Sequence, residues 1–336
     1  MAQKIYNWGI IGPGKIARKF ADGLQLLPNA RLHAVASTVL ERAQAFAANY
    51  QCPNAFGSYQ ALMDCPDLDI VYIATPHVKH YEHTMLCLNH GIPVVCEKPF
   101  SMSMAQTKAM VDLARTKKVF LMEALWTLFM PSMAAAVDMA ASGVVGDIHS
   151  AKADFGFYAP YNKASRLFDP QLGGGSLLDI GIYPILFFQR LFGKPSAENI
   201  QAAAVFTPDG VDESCVFTFK YPDNRLAFGH STVAADTPIE AIIFGTKGRI
   251  HIHSRFHHAQ QVSVFRHENG PEPEVYHFPY EGWGYHFEAA HVMDCLDAGK
   301  TESDLLPLSF TMDLAETLAT VSDKIGLKYP EALLKL

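Results

Sequence analysis

The segment Gly9-Ile10-Ile11-Gly12-Pro13-Gly14-Lys15-Ile16-Ala17 constrains this chain most. It closes a short apolar run at residues 5–11 and leads at once into a helix-period segment at 15–27. Gly12, Gly14 and Ala17 fit G-x-G-x-x-G/A, in which small residues permit a tight turn, backbone approach to a pyrophosphate and close packing of helix on strand. The phosphates of a dinucleotide would lie at the helix N-terminus beside Lys15 and Ile16, where free N–H groups and the helix dipole favour an anion. The same glycines would serve a tight turn in another α/β protein. Their place between a first strand and a first helix favours the nucleotide.

The next hundred residues keep that grammar. Apolar, often β-branched runs at 32–37, 70–75, 94–96 and 119–122 alternate with helix-period segments at 40–50, 78–90 and 104–116. This alternation predicts an α/β Rossmann domain over residues 1–123, with a doubly wound parallel sheet. After a helical segment at 132–142 the pattern changes. Strand-like runs at 148–157, 201–206, 215–221, 226–233, 239–244, 249–253, 261–265 and 274–278 succeed each other with few helices between them. They predict an α+β domain over 124–336 with a large open, mostly antiparallel sheet, closed by helical segments at 287–296 and 310–325.

Composition narrows the partners. The 336 residues are 49% hydrophobic, enough for two cores, and only 18% charged, with 34 acids against 27 bases. Neither disorder nor a nucleic-acid binder fits a formal charge of -7. Cys52, Cys65, Cys87, Cys96, Cys215 and Cys295 show no C-x-x-C pair, which predicts free thiols and a cytoplasmic address. The two most apolar stretches, 119–137 and 171–189, are interrupted by Glu123 and Pro131 and by Asp179 and Pro184, so no membrane span is expected.

Cofactor choice in this fold is usually set at the tip of the second strand, where an acid would hold the ribose 2′-hydroxyl. Here the chain reads Ser37-Thr38-Val39-Leu40-Glu41-Arg42. Two hydroxyls and Arg42 can hold a 2′-phosphate by charge-assisted bonds, which favours NADP over NAD. Glu41 offers Arg42 a competing partner. The fourth main strand ends in Glu97-Lys98-Pro99, which sets Lys98 at the mouth of the ligand crevice. Further on, Gly173-Gly174-Gly175 runs into an apolar helical pattern carrying Asp179 and Tyr183, four residues apart and so on one helix face. Either this is a buried acid with a core tyrosine, or two polar groups serving a site.

Together the glycine loop, Thr75-Pro76-His77 to His80, Glu97-Lys98-Pro99, Met122-Glu123-Ala124-Leu125-Trp126-Thr127, and the segment from Gly174 through Asp179-Ile180-Gly181-Ile182-Tyr183-Pro184 resemble the Gfo/Idh/MocA oxidoreductase family over essentially the whole chain. The resemblance implies a Rossmann domain joined to an α+β domain whose open sheet packs against a second subunit, making a homodimer. Lys98 matches the family's catalytic lysine. Tyr183 matches an acid/base tyrosine found in the branch that oxidises dihydrodiols, where other branches carry His, and Asp179 matches the acid of the same motif. That branch has arginine where this chain has Thr38, leaving a 2′-phosphate one fewer cation.

The implied chemistry is hydride transfer between nicotinamide and a hydroxyl or carbonyl of a sugar, polyol or dihydrodiol. A tyrosine of pKa about 10 is a poor base at neutral pH, and an adjacent ammonium such as that of Lys98 would correct this. Asp179 would orient the lysine or a substrate hydroxyl. Thr75, Pro76, His77, His80, Glu97 and Lys98 are expected along the cofactor, and Trp126, Phe155, Arg166, Asp179 and Tyr183 around the substrate. The segment 158–171 suits a loop over the site. The histidines 251, 253, 257 and 258 read as one exposed face of a strand, with no accompanying donor set, so no metal is expected. Two other readings stay open: a glycoside hydrolase that reduces and reoxidises its nicotinamide in each cycle, and a nicotinamide-binding regulatory protein without turnover.

Overall fold

The computed structural model describes residues 4–336, and the chain divides into two compact units that are not consecutive stretches. The first takes Met1–Trp126, Glu281–Met312 and Leu334–Leu336; the second takes Thr127–Tyr280 and Asp313–Leu333.

In the first unit the apolar runs become buried strands: β1 (Tyr6–Ile11), β2 (Ala30–Ala36), β3 (Asn54–Phe56), β4 (Ile70–Ile73), β5 (Val94–Glu97) and β6 (Leu121–Ala124). Every residue of β1, β4, β5 and β6 is buried, as befits strands covered on both faces. They pair in parallel in the order β3-β2-β1-β4-β5-β6, with the order reversing beside β1. The helices between them are α1 (Lys15–Leu24), α2 (Leu40–Asn49), α3 (Tyr59–Met63), α4 (His80–Asn89) and α5 (Met104–Lys117). Ser58 and Ser103 cap α3 and α5 by accepting from the amides of Ala61 and Gln106. β3 and α3 have no counterpart in the sequence reading, being only 3 and 5 residues long.

The second unit is built on a mixed sheet, described in the order β14-β13-β12-β11-β7-β10-β9-β8. After α6 (Pro131–Ala141) come β7 (Ile148–Gly156), α7 (Ile182–Phe192), β8 (Ile200–Phe206), β9 (Asp212–Lys220), β10 (Leu226–Thr232), β11 (Ala241–Gly245), β12 (Gly248–Ile252), β13 (Gln261–Arg266) and β14 (Glu274–His277). Only β7 and β10 pair in parallel; the other pairs are antiparallel. Strand β9 alternates, with Cys215, Phe217 and Phe219 inward and Val216, Thr218 and Lys220 outward. Helix α7 buries Ile182 through Gln189 against β7 and β10, so the apolar stretch Pro170–Phe192, long enough by composition to cross a membrane, is largely buried in the core. Helices α8 (Tyr285–Asp297) and α9 (Leu308–Ile325) complete the chain's regular structure, α8 packing on α1 within the first unit. All six cysteines are free.

Candidate active site

The carboxyl ends of the parallel strands gather most of the sequence-predicted cofactor residues in the first unit. Where β1 ends, the Gly12 amide donates to Ala36 O at 3.1 Å and the Gly14 amide to Gly12 O at 2.8 Å. Gly12 has φ +89°, and a Cβ there would lie 2.7 Å from Thr75 Cγ2, so the position requires glycine. A Cβ at Gly14 would meet only Gly12 O, at 4.0 Å. Space therefore stands open before α1, whose N-terminus has no side-chain cap and no acid in its first turn. An anionic pyrophosphate fits there, beside Lys15 and Ile16.

At the tip of β2 the Ser37 hydroxyl accepts from the Val39 amide at 3.3 Å, while Thr38 and Arg42 are exposed. At the end of β4, Thr75 Oγ1 lies 3.0 Å from His83 Nδ1. His77 comes next in a short turn and is buried. His80 is a strut: fully buried, its Nε2 lies 2.9 Å from Thr75 O and its Nδ1 2.8 Å from Pro99 O, tying the ends of two strands together.

Beyond β5 the Lys98–Pro99 peptide is cis. The Glu97 carboxylate accepts from the Tyr72 hydroxyl and, through Oε2, from the Lys98 amide at 3.2 Å. Glu123 accepts from the Phe100 amide at 3.0 Å, and burial pushes its carboxyl up to about 8. Glu288 on α8 is fully buried with neither oxygen hydrogen-bonded; burial and the neighbouring Glu97 push it well above the usual carboxyl range. Trp126 stacks on Tyr285 with ring centres 4.4 Å apart.

In the second unit Arg166 Nη2 lies 2.9 Å from Asp179 Oδ1. The Tyr183 ring packs against Phe155 at 5.4 Å and His257 at 5.1 Å, and those two rings stack on each other at 4.4 Å. Two sequence readings need correction here. Residues Leu177–Gly181 form a wide π-turn before α7, so Asp179 and Tyr183 do not share an ordinary α-helical face. His257 is not on an exposed strand face either: β12 ends at Ile252, and a short turn, Phe256–His258, buries the ring beside Tyr183. Sequence reasoning thus missed His257 and Glu288; each looks ordinary until its distant neighbour is known. Among the described residues one group of potential metal donors converges, His291, Cys295 and Asp304, with ligand atoms within 4.8 Å of one another. Ser303 Oγ already lies 2.7 Å from His291 Nε2, and Lys300 holds Asp304 at 2.8 Å.

Comparison with known proteins agrees with this architecture. Residues 6–125 match the oxidoreductase family model for the NAD-binding Rossmann fold of Gfo/Idh/MocA proteins, and residues 133–251 match the Gfo/Idh/MocA C-terminal domain. The chain belongs to the Gfo/Idh/MocA oxidoreductase family. Within it, the chain is 35% identical over 330 residues to trans-1,2-dihydrobenzene-1,2-diol dehydrogenase of Mus musculus, covering 97% of this chain and 98% of that one. Among solved structures, levoglucosan dehydrogenase in complex with NADH and levoglucosan superposes with a TM-score of 0.87 at 19% identity, covering 96% of this chain and 98% of that one. A 3-ketoreductase from Actinomadura kijaniata, in complex with NADP and TDP-benzene, superposes with a TM-score of 0.84 at 24% identity over the same shares. These two share the Gfo/Idh/MocA fold with this chain while binding different nucleotides.

Proposed function

We propose that this family member is an NADP(H)-preferring dehydrogenase acting on a hydroxyl or carbonyl of a sugar, polyol or dihydrodiol. The observation that carries the reading is the open glycine cradle before α1, in a chain that is 35% identical over almost its full length to a diol dehydrogenase. Bound nicotinamide supplies the hydride acceptor. Gly12, Gly14, Lys15 and Ile16 hold its pyrophosphate. Ser37, Thr38 and Arg42 hold a 2′-phosphate; the lack of an acid at the tip of β2 supports that choice.

Tyr183 takes the proton of the reacting hydroxyl, and the Lys98 ammonium favours its phenolate form. The stacked Phe155 and His257 rings fix the plane of the tyrosine, while the Arg166–Asp179 pair presents both a donor and an acceptor to a polyhydroxylated substrate. We further propose a homodimer through the outer face of the second sheet, which exposes Val205, Val216, Leu226, Phe228 and Val275. Six free thiols suit a reducing cytoplasm.

The test is to screen pentoses, hexoses, dihydrodiols and dicarbonyls for net NADP(H) change. Turnover of one class with net reduction or oxidation is expected. Product without net nucleotide change would replace this reading with nicotinamide-dependent hydrolysis.

A further inference from the structure

The second unit spends a buried charge on the start of the helix that carries Tyr183. Asp212, the first residue of β9, has no exposed surface. Its Oδ2 accepts from the Ser176 hydroxyl and from the Leu177 amide, both at 2.7 Å, while Oδ1 has no hydrogen-bond partner. Ser176 Oγ also lies 3.0 Å from Ser231 Oγ on β10. The carboxylate therefore sits at the N-terminal end of the whole π-turn and α7 segment, where it meets free amides and the positive end of the helix dipole.

The turn before it is shaped to receive that carboxylate. Gly175 has φ +116°, and a Cβ there would stand 2.3 Å from Asp212 Oδ1. A Cβ on Gly174 would run into the carbonyls of Arg166 and Leu167, each at 2.7 Å. The Gly175 amide donates to Leu167 O at 2.8 Å, and the Tyr329 hydroxyl donates to Gly174 O at 2.6 Å. One side of the turn is thus bound to the sheet through Asp212, and the other to the loop that bears Arg166.

A π-turn holds one residue more than an α-turn, so its presence rotates the residues on its N-terminal side against those on its C-terminal side by on the order of 100°. Asp179 lies inside the wide turn and Tyr183 just after it. We propose that Asp212 is a positioning residue: by clamping Ser176 and Leu177 it keeps the π-turn wide, and so fixes the angle at which Asp179 and Tyr183 are presented. This rests on the proposed roles of those two residues in dehydrogenation.

Burial raises the Asp212 carboxyl to about 6, partly offset by the Ser176 and Leu177 bonds. The titratable groups it acts on are Cys215 on its own strand and Tyr329 from the C-terminal segment, and Tyr329 also feels Asp179, itself paired with Arg166. Protonation removes the charge that the Ser176 hydroxyl and the Leu177 amide face, so the clamp weakens as Asp212 gains its proton.

The experiment compares wild type with Asp212→Asn, an isosteric change that keeps an acceptor but removes the charge. At neutral pH kcat should fall roughly ten- to a hundred-fold, with nucleotide Kd unchanged, because small misplacements of reacting groups cost about that much. The wild-type kcat profile should bend near pH 6, and the bend should vanish in the variant. Unchanged kcat, or a bend that persists, overturns the inference. Ser176→Ala, which removes one donor, should move kcat in the same direction and serves if Asp212→Asn does not fold. A readout independent of turnover is the ring-carbon NMR resonance of Tyr183, assigned with Tyr183→Phe. It should shift between pH 5 and 7 in wild type, in step with Asp212, and stay put in Asp212→Asn. If no substrate turns over, the dehydrogenase reading fails, yet this resonance still decides whether Asp212 governs Tyr183.

Discussion

Arg166 and Asp179 form an ion pair at 2.9 Å, the arginine side chain 38% exposed and the acid 15%. A half-exposed guanidinium contributes little to folding stability. Its proposed value lies in orienting the Asp179 carboxylate for a substrate hydroxyl. Arg166→Ala and Asp179→Asn should each lower kcat/KM for the alcohol substrate by roughly ten- to a hundred-fold, the scale of a hydrogen bond to a charged group, with melting temperature nearly unchanged. Initial-rate kinetics with thermal denaturation check both halves.

Tyr183→Phe removes the proposed proton acceptor while keeping a ring to pack on Phe155 and His257. Loss of a positioned acid/base group costs typically 10²- to 10⁴-fold in kcat. Lys98→Met should fall in the same range. Both variants should still bind nucleotide, as measured by fluorescence quenching; near-normal turnover in either removes that residue from the chemistry.

Arg42 is exposed in the first turn of α2. If it holds a 2′-phosphate, Arg42→Ala should raise KM for NADP(H) roughly ten-fold or more and leave KM for NAD(H) alone. A wild-type preference for NAD(H) would defeat the assignment.

Glu288 gives the pH dependence. Its carboxyl titrates well above its ordinary value in the fold because it is buried and faces Glu97. A group raised on folding lends stability below its unfolded value and loses it as pH climbs toward the folded one. Glu288→Gln escapes that loss. The difference in melting temperature, variant minus wild type, should become steadily more positive above about pH 5. A flat difference would mean that Glu288 is ionised in the fold.

On the outer face of the second sheet, Phe228 is exposed opposite Thr218, with Val216 on the same strand as Thr218. Phe228→Asp should convert a dimer into monomers by sedimentation velocity while preserving secondary structure. A monomeric wild type would remove the proposed interface.

The range of each interaction decides how much of the fold and site was legible in the sequence. Strands β1, β4, β5 and β6 are continuous apolar runs between helix-period segments, a local signal, and the glycine loop marks its own turn. The wide turn at Leu177–Gly181 was not legible. Its residues read as plain helix, and the group that holds it, the Asp212 carboxylate, lies 35 positions from the Leu177 amide. His257 hid within a run of histidines spaced like a strand face, and only the burial of Phe256 and the end of β12 turn it toward Tyr183. Glu288 occupies an unremarkable helix position; what makes it unusual is burial in the folded unit and, second to that, Glu97, nearly two hundred residues earlier.

The return of Glu281–Met312 to the first unit bears on how the chain is born. The Tyr6 hydroxyl donates to Asp297 at 2.5 Å across 291 positions, and the Leu121 amide donates to Thr301 O at 3.2 Å. A ribosome must release the chain as far as Asp297 and Thr301 before these partners can meet. During synthesis the nucleotide-binding unit is therefore the earlier one to appear and cannot be the earlier one to finish, so α1 stays uncovered while the second unit is still being made. Cutting the gene after Trp126 would yield a replica of that waiting state, a sheet lacking its last helix.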